Sequence, residues 1–226
     1  MIRTLLVVTL TGILCSCNQS NSTSTPASQT NSGTEAVTDS TTVAVEKQLL
    51  AIDSDQALIA TSLMAAPQES RAECTVIGYN MAGEFVTLRQ GTNQFIVLAD
   101  DPNKPGFSAA CYHKDLEPFM ARGRALRAEG KSGSEIFAIR EAEAKSGALD
   151  MGKQGSTMHI YFGKGELYDP ETFEVAGAKY RYVVYMPFAT AESTGLPEMP
   201  IGPNHPWIMN PGTHRAHIMI SPLAND

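Results

Sequence analysis

The N-terminal stretch constrains this chain more than any other, because it decides the compartment in which the chain folds. Arg3 supplies a positive charge, and Leu5 to Leu14 form an apolar run. A run of about ten residues is typical of a signal-peptide core and is shorter than the roughly 20 residues needed to span a bilayer. The stretch therefore predicts export to a compartment in which disulfides can form.

The end of the apolar run, LCSC at residues 14–17, resembles the lipobox of bacterial lipoproteins. The resemblance implies a signal peptide at residues 1–16 and a lipid on Cys17, with palmitate among the acyl groups. Residues 17–42 form a Ser/Thr/Asn-rich tract with almost no large apolar side chain. Such a tract cannot bury enough surface to order itself, which predicts a disordered tether. We expect a bacterial cell-envelope location, with a domain that faces the periplasm or the exterior and is anchored to the lipid bilayer through Cys17.

The rest of the chain, residues 43–226, is long enough for a single globular domain with its own core. The whole chain has a formal charge of −7 and contains 42% hydrophobic residues. An acidic chain is not attracted to phosphate backbones, so nucleic acid is not an expected partner. No cofactor-binding motif is present, and we expect no cofactor.

Hydrophobic periodicity predicts the elements in the first half of the domain. Apolar residues recur at helical spacing from Val43 to Met64, which indicates two short helices or one broken helix, with Asp53 or Ser54 as the cap of the second piece. Three runs rich in β-branched and aromatic residues follow, joined by short loops that contain glycine. They predict an antiparallel meander of the strands Cys74–Tyr79, Glu84–Arg89 and Gln94–Ala99.

The second half combines helices and further strands. An exposed loop is predicted at residues 100–110, followed by one helix that Asp115 caps and another that starts at the capping box of Ser132 and Glu135. Strands at residues 157–162, 179–188 and 214–221 complete the pattern, with a Pro-rich irregular stretch at 189–211. Strands, two helices and strands again predict an α+β fold, an antiparallel sheet with a helical pair packed on one face.

Three segments of this domain resemble segments of a group of exported bacterial proteins to which no activity is attached. They are LRQGTNQF at residues 88–95, PGFSAACYHKDLEPFM at 105–120 and GTHRAHIMISP at 212–222. The resemblance covers roughly residues 57–222 and implies a single domain, but it implies no function.

Histidines and methionines near the C-terminus are the candidate metal ligands. His205, His214 and His217 fall within thirteen residues, and an H-x-x-H spacing suits two ligands on a helix. The segment is predicted as a strand, however, where residues three apart face opposite sides. The methionines of this region resemble a soft copper-binding set but are more often core residues: Met158, Met186, Met199, Met209 and Met219.

The two cysteines of the domain allow two interpretations. Cys74 and Cys111 are the only cysteines after residue 17, which predicts one disulfide in an exported protein. Alternatively, Cys111 is a nucleophile beside His113, since an imidazole lowers the pKa of a neighbouring thiol. The disulfide is the favoured interpretation because it fits the exported location.

Charged clusters give weaker signals. Asp169, Glu171 and Glu174 provide the acids that glycoside hydrolysis needs, but their sequence indicates a solvated turn. A basic strip suits an anionic partner or is the solvated face of a helix: Arg122, Arg124, Arg127 and Lys131. These signals do not select a reaction.

The long Pro-rich stretch is the best candidate for a binding surface. Irregular segments of more than about 12–15 residues usually bind something or are disordered, and this one carries His205, Trp207 and Met209. We therefore expect a non-catalytic module for a small ligand or an envelope protein. The alternatives are that Trp207 only plugs the sheet, or that a metal-dependent or thiol-dependent enzyme is built from the histidines or from Cys111 and His113.

Overall fold

A computed structural model describes residues 48–222 of the chain. The predicted signal peptide, the lipid acceptor Cys17 and the tether at residues 17–42 lie outside the described residues. The strands are β1 Leu50–Ala51, β2 Thr75–Tyr79, β3 Phe85–Arg89, β4 Phe95–Leu98, β5 Phe107–His113, β6 Thr157–Gly163, β7 Leu167–Tyr168, β8 Lys179–Tyr185, β9 Trp207–Met209 and β10 His217–Ile220. The helices are α1 Asp55–Ser62, α2 Glu117–Ala128, α3 Gly133–Ser146 and α4 Ala191–Thr194, with 3-10 helices at Leu63–Ala65, Gln68–Glu73 and Lys114–Leu116.

The main sheet contains eight strands in the order β3-β2-β4-β5-β6-β8-β10-β9, and β1 pairs with β7 in a separate ribbon. Neighbouring strands of the main sheet are antiparallel, except that β2 and β4 run parallel. The predicted α+β fold is confirmed. The meander predicted for the first three strands is wrong, because β4 lies beside β2 rather than beside β3.

The loop between β3 and β4 explains this arrangement. The backbone amides of Thr92 and Asn93 donate to the Glu73 carbonyl at 2.9 and 3.1 Å, so the loop crosses the start of β2 instead of turning back along β3. The crossing is close, since a Cβ atom on Gly91 would overlap the backbone of Cys74. Glycine at this position lets the chain reach the other side of β2 and run parallel to it.

Helices cover both faces of the sheet. Alternate residues of a strand point to opposite faces, and those of β5 divide between two apolar clusters. Cys111 belongs to the cluster that packs against Leu58 of α1, whereas Tyr112 belongs to the cluster that packs against Phe119 of α2. The predicted helical pair, α2 and α3, is therefore one of two helical layers.

Local capping confirms several predicted helix ends. Ser54 caps α1 by accepting a hydrogen bond from the Ala57 amide at 3.3 Å. Ser132 and Glu135 form the predicted capping box of α3. That helix ends at Gly147, whose φ of 76° is the left-handed conformation expected of a terminating glycine.

Two predictions about helices are wrong. The first helical piece, predicted between Val43 and Ile52, contains strand β1 instead, because Leu50 and Ala51 pair with β7 and this tertiary pairing overrides the local periodicity. Asp115 does not cap α2. The chain enters α2 through a 3-10 helix, and the side chain that caps this turn is His113, whose Nδ1 accepts from the Asp115 amide at 3.2 Å.

Two predicted loops are shorter than expected. Strand β5 begins inside the loop predicted at residues 100–110, because Phe107 and Ala109 are buried, at 2% and 0% exposure, on one face of the sheet. The irregular stretch predicted at 189–211 contains α4 and β9. Strand β9 is a proline-free segment between Pro206 and Pro211, which allows it to pair with β10.

Candidate functional site

The candidate site lies on one face of β8, β10 and β9, at the end of the sheet. Trp207 of β9 is opposite Met219 of β10, and Met219 is opposite Val183 of β8. These three side chains form an apolar row across the strands, because directly opposite residues share a face. Met209 lies two residues after Trp207 on β9 and therefore on the same face.

A polar row lies next to this apolar row. Tyr182 pairs with Ile220, so continuing that register by one residue places Ser221 beside Arg181. The same continuation along β9 places His205 beside Ser221. A cavity of about 340 Å³ opens between the two rows and the preceding loop. We call it the β9 cavity, and it is lined by Arg181, Pro200, Gly202, Pro203, Asn204, His205, Trp207, Met209, Met219 and Ser221.

Two buried polar atoms in this cavity have no hydrogen-bond partner. They are Nε of Arg181 and Nδ1 of His205. The Arg181 guanidinium lies 4.8 Å from the centre of the Phe162 ring, and no acidic side chain of the described residues pairs with it. Among residues 48–222, the charge of Arg181 is therefore not neutralised by an acid, and an anionic or hydrogen-bond-accepting ligand in the cavity would interact favourably with this guanidinium group.

Exposed apolar side chains surround the cavity. Met199 and Ile201, on either side of Pro200, are 73% and 75% exposed, and Met209 is 37% exposed. Trp207 is partly buried and packs against the apolar cluster under α2. The loop thus presents a wall of the cavity and leaves its own apolar residues in solvent, as expected of a binding surface rather than a cover.

The structure brings together all three residues that the sequence predicted for binding: His205, Trp207 and Met209 line the same cavity. Sequence reasoning missed Arg181 and Ser221. The available signal for Arg181 was the alternation along β8, which places a charged residue on the same face as Val183 and Tyr185. Val183 and Tyr185 are buried on that face, and a charge next to buried apolar residues is unusual.

The candidate metal ligands do not converge. His214 is buried against α3, where its Nδ1 donates to the Glu141 carboxylate at 2.6 Å. His217 donates from Nδ1 to the Arg215 carbonyl at 2.6 Å. Within residues 48–222, no three His, Cys, Asp or Glu side chains form a group that could hold a metal ion. Of the methionines, Met158 and Met219 are buried core residues.

The predicted disulfide is not present. Cys74 and Cys111 are both buried and free, and the Cys74 thiol donates to the Ser70 carbonyl at 3.1 Å. Cys74 has extended backbone before β2, Cys111 is in β5, and β4 lies between these strands. The two thiols are nevertheless neighbours across this part of the sheet, since a hydrogen bond between Cys74 and Cys111 shifts both of their pKa values.

The thiol-enzyme arrangement is also not assembled. A hydrogen bond with Cys74, followed by burial, raises the pKa of Cys111, which makes it a poor nucleophile. His113 Nδ1 is engaged by the Asp115 amide. Cys74 has a lowered pKa, chiefly through its hydrogen bond with Cys111, yet its side chain has no solvent exposure.

The predicted charged clusters are local structure. Asp169 is buried, and its Oδ1 accepts from the Glu171 amide at 2.9 Å, which corrects the expectation of a fully solvated turn. Glu171 and Glu174 are exposed. Acids neutralise most of the basic strip on α2 and after it, through the ion pairs Arg122–Glu143, Arg124–Glu117 and Lys131–Glu135.

A second cavity of about 430 Å³ lies on the opposite face of the sheet, between β6, β8 and residues 65–71. Its one charged residue, Arg71, is already engaged and donates to the carbonyls of Met64 and Ala66 at 3.2 and 3.0 Å. His159 lies edge-on to Tyr182 with the ring centres 5.2 Å apart. Although this cavity is larger, the β9 cavity is the better candidate because its arginine, Arg181, has no acidic partner among the described residues and no hydrogen bond at Nε.

No family model, curated protein or solved structure matches this chain. The described helices include none with the length and apolar character needed to cross a membrane.

Proposed function

We propose that this chain is a membrane-anchored envelope lipoprotein whose folded domain is a non-catalytic module that binds a small ligand or a partner in the β9 cavity. The observation that carries the proposal is that His205, Trp207 and Met209 line one cavity together with Arg181, which has no acidic partner among the described residues. Ligand sites commonly combine apolar walls with a few convergent polar groups.

The residues of the enzymatic alternatives do not support a second candidate. A metal-dependent enzyme would use His205, His214 and His217, but the latter two donate from Nδ1 to groups of the protein itself. A thiol-dependent enzyme would use Cys111, whose burial and raised pKa oppose formation of the thiolate.

Filling the cavity tests the proposal. A Cβ atom on Gly202 meets nothing within 4 Å, and this residue has no positive φ, so Gly202→Phe places a ring at the cavity without strain in the fold. The probe is the neutral dye N-phenyl-1-naphthylamine, which accepts excitation energy from Trp207, the only tryptophan of the chain. We expect saturable energy transfer in the unaltered protein and at least about tenfold weaker binding in Gly202→Phe.

Gly133→Phe is the matched control, because Gly133 also has free space around its Cβ position and no positive φ, but lies on α3. It should bind the dye like the unaltered protein, and both variants should keep their melting temperature. Absence of saturable transfer, or equal binding in both variants, would exclude the β9 cavity as the site. Gly202 is preferable to Trp207 as the test position because Trp207 also packs against the core.

A further inference from the structure

We infer that the ligand of the β9 cavity is an anionic amphiphile, a molecule with a carboxylate or phosphate head and an apolar chain. This inference rests on the proposed function and adds the chemical class of the ligand. It follows from the arrangement of the lining residues, because a polar row and an apolar row lie side by side in the β9 cavity.

The polar row selects the head group. Arg181 carries a permanent charge, has no acidic partner among the described residues, and has a buried Nε without a hydrogen bond. Planar guanidinium groups bind carboxylate and phosphate oxygens through paired hydrogen bonds. The Ser221 hydroxyl and His205 lie beside it in the same row, and both can donate to an anion. A cationic head would instead be repelled by Arg181.

The apolar row selects the rest of the ligand. Trp207 and Met219 continue the cavity away from Arg181, and Met209 extends this surface toward solvent. The flexible thioether side chain of methionine adapts to an alkyl chain of the ligand better than a branched side chain does. Outside the cavity, Met199 and Ile201 are largely exposed and provide further apolar contact for a chain that is longer than the cavity.

The size and charge of the cavity agree with this class of ligand. A volume of about 340 Å³ lies at the lower end of the range for small-molecule sites. The chain as a whole is acidic, with a formal charge of −7, so a free anion has no general attraction to its surface. Binding of an anion therefore depends on the local charge of Arg181.

The experiment compares ligands that share one chain and differ in the head group. The mature chain, residues 17–226 with Cys17→Ser to prevent acylation, is titrated below the critical micelle concentrations with decanoate, decyl phosphate, decanol and decyltrimethylammonium. Trp207 fluorescence reports binding, and acetate tests the head group alone. We expect decanoate and decyl phosphate to bind at least about tenfold more tightly than decanol, the ammonium compound to bind most weakly, and acetate to show no binding. The ratio of the two anions distinguishes a carboxylate ligand from a phosphate ligand.

Arg181→Gln should remove the preference for the anions over decanol, whereas Arg127→Gln makes the same change at an exposed position of α2 and should leave that preference as it is in the unaltered protein. If Arg181→Gln does not fold, Ser221→Asp gives a second test at an exposed position, since a carboxylate there repels anions but not decanol. Equal affinity for all four amphiphiles would contradict the inference that the ligand is an anion, but it would still support the proposed binding function. Tight binding of acetate would overturn the amphiphile, and binding of none of them would overturn both proposals.

Discussion

His214 shows how one buried contact makes the stability of this fold depend on pH. The imidazole has no solvent exposure and lies between the rings of Phe119 and Phe137. Burial lowers the pKa of His214 below its usual 6.5, although Glu141 acts in the opposite direction. Burial would raise the pKa of Glu141, but hydrogen bonds from Lys145 and from the His214 amide and ring lower it to about 2.

Both pKa values are depressed in the folded state, so the sign is the same for both groups. As the pH falls below about 6.5, His214 takes up a proton more readily in the unfolded chain than in the folded chain. Glu141 does the same below about pH 4.5. The folded state therefore loses stability as the pH falls through these two values. At pH 7, we expect Glu141→Gln to lower the free energy of unfolding by about 1–3 kcal/mol. This is the usual cost when a buried donor, here the His214 ring, loses a hydrogen bond to a charged acceptor.

Thermal unfolding measured from pH 2 to pH 8 checks this prediction. The difference between Glu141→Gln and the unaltered protein should be largest near pH 7 and should shrink between about pH 4.5 and pH 2, where the carboxylate of the unfolded chain is protonated. Glu143→Gln is the control on the same helix. Glu143 pairs with Arg122 near the surface, and such pairs contribute at most about 1 kcal/mol. A pH-independent difference would contradict the proposed role of Glu141.

Sequence reasoning reached part of the candidate site. Trp207, His205 and Met209 were found because the Pro-rich stretch is long and Trp207 is the only tryptophan. Arg181 was missed because its role depends on the pairing of β8 with β10. That pairing brings Ser221 next to Arg181, and it depends on contacts between residues distant in sequence, which local patterns do not contain.

The elements show a similar division between local and non-local information. Helix ends with a capping box or a terminal glycine were predicted correctly, because the few residues that form the cap also determine it. The parallel pairing of β2 with β4 was missed, because a short loop with glycine usually indicates a hairpin. The route of this loop depends instead on the Glu73 carbonyl, which holds Thr92 and Asn93 at the start of β2.

Burial determines the redox state expected of the two cysteines. Because Cys74 and Cys111 are free thiols buried in the sheet's core, out of reach of solvent oxidants, we expect them to remain thiols after export. The measurement is alkylation of the purified protein without reductant, followed by peptide mapping. Both cysteines should be labelled after unfolding and labelled slowly in the native state, since their side chains are 0% and 1% exposed. A disulfide-linked peptide that contains Cys74 and Cys111 would contradict this prediction.

At the scale of the whole molecule, helices cover both faces of the sheet, and exposed apolar residues lie next to the charged β9 cavity at one end of it. Met199 and Ile201 are the most exposed of the large apolar residues in the described part of the chain. These exposed apolar residues are the surface that the apolar part of the proposed ligand would contact beyond the cavity.

The anchor itself is the final prediction. Cys17 follows an apolar run and a small residue, as the lipid acceptor of a bacterial lipoprotein does. We expect mass spectrometry of membrane-extracted protein to find an acylated N-terminal peptide that begins at Cys17, and Cys17→Ser to abolish it. Cys15→Ser is the matched control, because it changes the neighbouring cysteine and should leave acylation and membrane association intact. A soluble product that begins at another residue would show that Cys17 is not the lipid acceptor of this chain.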